Sequence, residues 1–247
     1  MGLVKQNQFA TRIEQAVAEV LGNQTSNGAF GLWRPSSGDF WLDAYVTDFL
    51  SRARAEGFDV PQLAFTQALD NLRNRISYAP DFDSGGEDIA YALYVLAREG
   101  AASVGDLRYY ADVKGNDFAT PLATAQIGAA LAAYGDPTRA DRMFARAAEQ
   151  IAGRSGVEKH VWRSDYGTPA RDRAALIALA SAAKSDAVDI DALTQELASN
   201  ADRRSTQEMV WALLAVNALT NDEATSGIAL DGVPLTGPPA KTLSSGD

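Results

Sequence analysis

The chain has 247 residues, 46% of them apolar, with 22 basic against 32 acidic side chains and a formal net charge of −10. A chain of that size buries a full core, as one large domain or two small ones, and its acidic excess argues against adhesion to nucleic acid or anionic lipid. There is no cysteine, which removes disulfides, thiolate metal sites and a cysteine nucleophile from these residues. No run approaches the roughly 20 apolar residues that cross a bilayer, and the first residues lack the charged-then-apolar pattern of a secretion signal.

Taken from the N-terminus, the apolar pattern predicts two kinds of helix alternating at intervals of about 35 to 50 residues, the period of stacked helical hairpins. Gln8–Leu21 is amphipathic. Asn27-Gly28-Ala29-Phe30-Gly31-Leu32-Trp33 follows as a glycine-interrupted aromatic turn. Its glycine spacing and missing lysine do not make a phosphate loop; Phe30 and Trp33 are expected to plug the space between hairpins. Trp41–Glu56 is apolar round most of its circumference, and so are Asp88–Glu99, Leu122–Tyr134, Asp172–Lys184 and Thr206–Leu219, which predicts burial on all sides. Between them lie the more charged segments Pro61–Ser77, Val104–Val113, Pro137–Ile151 and Ile190–Asn200. Pro61 and Pro137 suit first turns; Gly57, Gly100 and Gly135 suit the caps just past buried helices.

Small residues crowd the buried segments, for instance Ala123, Ala125, Gly128, Ala129, Ala132 and Ala133, and small side chains let helices approach closely. The expected fold is therefore all-α, an α/α toroid of outer and inner helices with about five hairpins present, over residues 1–223. The tail, 224–247, is rich in glycine and proline. Ile228–Leu230 and Val233–Leu235 suit two short strands around the turn dipeptide Asp231-Gly232. A linker toward a following β-domain, disordered in its last residues, fits as well and is preferred.

Such a toroid serves glycosidases, terpenoid cyclases, prenyltransferases and complement-type thioester domains, so the fold leaves function open. A prenyltransferase zinc site needs ligands that a chain with no cysteine and one histidine does not have. That histidine, His160, lies in a polar segment with Trp162 and reads as structural or solvated. The acidic loop Asp81-Phe82-Asp83-Ser84-Gly85-Gly86-Glu87-Asp88 enters a buried helix, where a glycosidase would place its acid and base. The plainer reading puts Glu87 and Asp88 at the positive end of the helix dipole and Asp81 and Asp83 in a turn.

Two adjacent stretches resemble a known family. Gly28-Ala29-Phe30-Gly31-Leu32-Trp33, followed by Phe40-Trp41-Leu42-Asp43-Ala44-Tyr45-Val46-Thr47-Asp48-Phe49-Leu50, is similar to the paired signature of the thioester domain in bacterial α2-macroglobulins. Tyr166-Gly167-Thr168-Pro169-Ala170-Arg171-Asp172 agrees with the same family, as does Ser205-Thr206-Gln207-Glu208 leading to Trp211. The resemblance runs from about Gln8 to Leu219, and Trp41–Leu50 is its most specific part.

The resemblance implies a protease-trapping parent facing the bacterial periplasm, tethered as a lipoprotein, whose partners are target proteases and its own neighbouring β-domains. Nucleic acid and direct membrane contact are not among the expected partners. In the family a cysteine thiol is joined to a glutamine side chain within Cys-Leu-Glu-Gln, and cleavage of a bait region exposes this thioester to amines of the attacker. That is stored strain rather than turnover, so the resemblance implies no enzyme, no cofactor, no metal and no catalytic residue here. The motif belongs on a first hairpin upstream of Phe30, and this chain has no cysteine to supply it. Family positions carried over are structural: Gly28, Phe30, Gly31, Trp33, Trp41, Ala44, Tyr45, Asp48, Tyr166, Gly167, Arg171, Asp172, Ser205, Thr206, Gln207, Glu208 and Trp211. An open barrel is further expected to expose apolar flanks on Gln8–Leu21 and Thr206–Leu219 and to self-associate there. The alternative reading is a carbohydrate-active or cyclase-like enzyme using the Asp81–Asp88 loop.

Overall fold

Ten helices and one two-stranded hairpin make up the computed structural model, which describes residues 2–153, 163, 165–199, 205–220, 229–230 and 233–234. The helices are α1 (Gly2–Gly22), α2 (Phe40–Ala55), α3 (Gln62–Ser77), α4 (Glu87–Arg98), α5 (Val104–Asp112), α6 (Pro121–Ala133), α7 (Pro137–Ala152), α8 (Pro169–Ala182), α9 (Ile190–Ser199) and α10 (Thr206–Thr220). Every segment expected to be helical is helical. None of the described helices is long and apolar enough to cross a membrane.

The even-numbered helices form the inner layer, and side-chain chemistry sets the division. In α4, nine consecutive residues from Ile89 to Ala97 are buried, and in α8 the seven from Ala174 to Ala180 are buried. An outer helix such as α7 buries only Ala140, Met143, Phe144, Ala147 and Ile151, the one-sided stripe of an amphipathic helix. Small residues bring the layers together: a Cβ on Gly128 of α6 would lie 3.1 Å from the Phe144 ring of α7. The inner helices pack in series, α2 on α4, α4 on α6, α6 on α8 and α8 on α10. Among the described residues the series stays open, since α10 packs chiefly on α8 and leaves Met209, Val210, Leu213 and Val216 exposed. Phe9 of α1 is exposed at the other end of the chain. The expected apolar flanks are present.

Helix ends repeat as the packing does. Gly57, Gly100 and Gly135 all have positive φ, and the N–H after each reaches back to Ala53, Leu96 and Leu131 respectively, the Schellman closure of a helix end. Inner helix α8 ends identically, Ser185 N–H reaching Ala180 O, but with Lys184 at φ +52° in the glycine's place. Pro137 opens its helix as expected, whereas Pro61 sits one position outside α3, its carbonyl accepting the Phe65 N–H. Helix α8 starts at Pro169, ahead of the expected Asp172, because Thr168 caps it through the Arg171 N–H.

A second, smaller core joins α1, α2 and α3 around Val17, Phe30, Val46, Leu50, Phe65 and Ala68. In the tail, Ala229–Leu230 pairs antiparallel with Val233–Pro234. The remaining tail residues, with His160 and Trp162, lie outside the described residues.

Candidate functional site at the mouth of the inner helices

Helix α2 carries Trp41, Ala44, Tyr45 and Asp48 at helical spacing, so they fall on one stripe. That stripe faces α4. Trp41 stacks on Tyr45 at 5.2 Å and leans against Tyr91 of α4 at 5.8 Å, while Ala44 is wholly buried. One turn deeper, Asp48 accepts hydrogen bonds from Tyr91 Oη at 3.0 Å and Arg52 Nε at 3.1 Å, and it pairs with Arg98 of α4. Burial and the Asp48 charge push the Tyr91 hydroxyl well above its ordinary pKa, so it stays a donor at any physiological pH.

Tyr166 closes the cluster from the loop before α8, its ring 5.4 Å from Trp41 and inclined to it edge to face. Its backbone lies at φ +52°, a conformation unfavourable for a residue with a Cβ. An ionic platform holds it there. Arg163 spans Asp165 at 2.6 Å and Asp172 at 2.7 Å, and fully buried Arg171 spans the same two carboxylates at 2.6 and 2.9 Å. Two cations and two anions cancel, and bidentate guanidinium geometry suits such pairing. Burial drives the Asp165 carboxyl upward, but Arg171 and Arg163 outweigh it and hold its pKa below the usual range. Gly167 is required here, because a Cβ would lie 2.1 Å from Arg171 Nη2.

The last signature segment joins the same end. Ser205 and Glu208 cap α10 reciprocally, Ser205 N–H donating to Glu208 and Glu208 N–H to Ser205 Oγ, a capping box. Thr168 Oγ1 also donates to Glu208, which ties the start of α8 to the start of α10. Trp211 is buried one turn on; Thr206 is exposed and Gln207 half-buried.

The Asn27–Trp33 turn splits in two. Phe30 is buried and its N–H donates to Asp43 at 2.7 Å. Gly28 at φ +88° presses on α3, where a Cβ would lie 2.0 Å from Gln67 O. Asp43 also accepts from Asn71 Nδ2 at 3.0 Å; burial outweighs these bonds and raises its pKa. Trp33 does not plug the hairpins as expected. It is 92% exposed, because the bond from Gly31 N–H to Asn23 O turns the chain outward after Phe30.

A cleft of about 580 Å³ opens beside the aromatic cluster, lined by Asp39, Arg75, Glu87, Asp88, Trp41 and Tyr166 among others. Glu87 opens α4 there, and burial, with nearby Asp165 and Asp88, raises its pKa. In the rest of the acidic loop Lys114 donates to Phe82 O at 2.7 Å and pairs with Asp81 at 2.6 Å, Asp88 accepts the Ile89 N–H, and Asp83 is exposed. Among the described residues, no three of His, Cys, Asp or Glu are grouped to hold a metal. Trp41, Tyr166, Gly167, Arg171, Asp172 and the Ser205–Glu208 segment thus meet at the inner-helix N-termini, whereas Asp48 pairs with Arg98 at the far end of α4, Gly28 packs on α3 and Trp33 is exposed. Sequence reasoning missed Arg163 and Asp165, whose only signal was alternating charge ahead of Tyr166.

Comparison with known proteins decides the kinship. The α2-macroglobulin of Escherichia coli K12 is 32% identical over 177 residues, covering 68% of this chain, and that of Xylella fastidiosa (Temecula1) is 30% identical over 181 residues, covering 69%. This chain belongs to the bacterial α2-macroglobulin family. It spans about a tenth of those relatives, 10% and 11% of their lengths. Native E. coli α2-macroglobulin superposes with a TM-score of 0.73 at 28% identity, over 85% of this chain and 14% of that one. Its crystallised portion from domain MG7 to the C-terminus gives 0.74 at 27% identity, over 88% and 35%. The chain therefore corresponds to the helical toroid in the C-terminal region of a bacterial α2-macroglobulin. No model of a protein family matches it.

Proposed function

We propose that this chain is the thioester-type toroid of a protease-trapping α2-macroglobulin and serves as its scaffold, without turnover of its own. The observation that carries this reading is the open inner series. Four of its junctions are filled, and the apolar side chains of α10 stand exposed where a further helix would pack. In the reading, residues 1–223 form a toroid one hairpin short, and the reactive element belongs to the missing hairpin, seated between α10 and α2. The converging mouth of Trp41, Tyr91 and Tyr166 borders that seat. Residues 224–247 lead into a following β-domain, and the parent works in the periplasm as a lipoprotein.

Relatives support the class of partner. E. coli α2-macroglobulin has been seen activated by porcine elastase and by trypsin, and that of Salmonella reacted with methylamine. The test is to incubate the intact polypeptide with elastase and follow its mobility on native gels. Cleavage with a shift to a compact, protease-containing species is expected; progressive digestion with no complex contradicts the proposal.

A further inference from the structure

The loop between Phe30 and α2 carries two large apolar side chains that the described fold does not use. It is fixed at both ends: Phe30 N–H by Asp43 and Gly31 N–H by Asn23 on one side, Gly38 O by Arg75 and the Asp39 cap of α2 on the other. It also folds back on itself, since a Cβ on Gly31 would lie 2.0 Å from Arg34 O and 2.4 Å from Ser36 Oγ. Pro35 stiffens the middle. On this support Leu32 is 63% and Trp33 92% exposed. Tryptophan and arginine lead the residues that anchor protein interfaces, and a loop backbone already held in shape loses little entropy on docking. Arg34, next along, is exposed and makes no ion pair among the described residues.

We propose that Leu32 and Trp33 are an interdomain anchor, seated in an apolar cleft edged by a carboxylate facing Arg34, on another domain of the same polypeptide. This rests on reading the chain as a segment of a larger α2-macroglobulin. The occupant follows from the lengths involved: the matched region is 10% of the E. coli protein and 35% of its MG7-to-C-terminus portion, so most of each relative's chain lies outside it and is tethered to it. A tethered domain meets the loop at high effective concentration, whereas a second copy or a target protease must find it by diffusion.

Oxidative footprinting of tryptophan, read by mass spectrometry, tests this on this chain alone and on the intact polypeptide. Trp33 is expected to label readily in the chain alone and roughly tenfold more slowly in the intact protein, as for a side chain moved from solvent into a desolvated interface centre. Trp33→Ala should leave the melting temperature of the chain alone unchanged and speed hydrogen exchange of the loop in the intact protein. Equal labelling in both overturns the anchor. So does protection that appears only at high concentration of the chain alone, which indicates a second copy, or only after protease is added, which indicates the target. None of these readouts requires trapping, so loss of the trapping reading would leave the result interpretable.

Discussion

Tyr166 meets Trp41 edge to face, their ring centres 5.4 Å apart and planes inclined at 61°. Through this contact the loop before α8 reaches α2, and two signature segments far apart in the chain become one mouth. Tyr166 holds its positive φ because Arg163, Asp165, Arg171 and Asp172 fix the chain on either side of it. Asp165→Asn is expected to cost about 3–5 kcal/mol at neutral pH, since it leaves buried guanidinium groups short of a counter-charge. The depressed folded pKa of Asp165 makes its contribution fully present above the ordinary aspartate value of about 3.9, and lost as pH falls through the folded value. Denaturant midpoints should therefore differ between wild type and variant at pH 7 and converge only below about pH 4.

Glu87 has the opposite sign. Its folded pKa is raised by burial, so the wild-type protein loses stability as pH rises from the ordinary glutamate value, about 4.3, through the folded value. Glu87→Gln removes that loss. Thermal melts should show the variant gaining on wild type from acid to neutral pH; a constant offset would contradict the assignment.

Lys184 occupies the left-handed cap position that glycine fills after α2, α4 and α6. Lys184→Gly is expected to stabilise by about 1 kcal/mol, the scale of the left-handed penalty for a residue with a Cβ. Gly28→Ala should do the reverse, by about 1–2 kcal/mol from backbone strain alone and more from the contact with Gln67 O. Equilibrium unfolding of the two variants checks both signs.

Much of this was legible in the sequence, for physical reasons. Inner helices such as α4 and α8 are apolar all round, outer ones such as α7 on one face, and that contrast survives without coordinates. Gly57, Gly100 and Gly135 announced their caps because few other residues adopt positive φ cheaply. Lys184 broke that rule and left no sign. The ionic platform was illegible because a pair such as Arg163 and Asp172 obeys no helical period. Trp33 misled because apolar character predicts burial without saying in which molecule or domain.

Apolar side chains on α10 predict weak self-association of the chain alone. Sedimentation velocity should show a concentration-dependent shift that Leu213→Lys abolishes, Leu213 being 70% exposed. A monomer at all concentrations would mean that this face is tolerated by water.

The acidic loop provides a check on the competing enzyme reading. Asp81 is engaged by Lys114, and a polysaccharide hydrolysis panel is expected to show the same background for wild type and an Asp81→Asn, Asp83→Asn double variant. Hydrolysis by wild type that the variant loses would favour an enzyme.

The proposed scaffold role is tested most directly by the size of substrate that a captured protease still cleaves. The intact polypeptide is mixed with excess-free trypsin, and hydrolysis of a small peptide ester is compared with digestion of casein. Retained ester hydrolysis with digestion of casein largely lost is the predicted result, because an enclosed protease admits small substrates and excludes large ones. Equal loss of both, or loss of neither, contradicts the account.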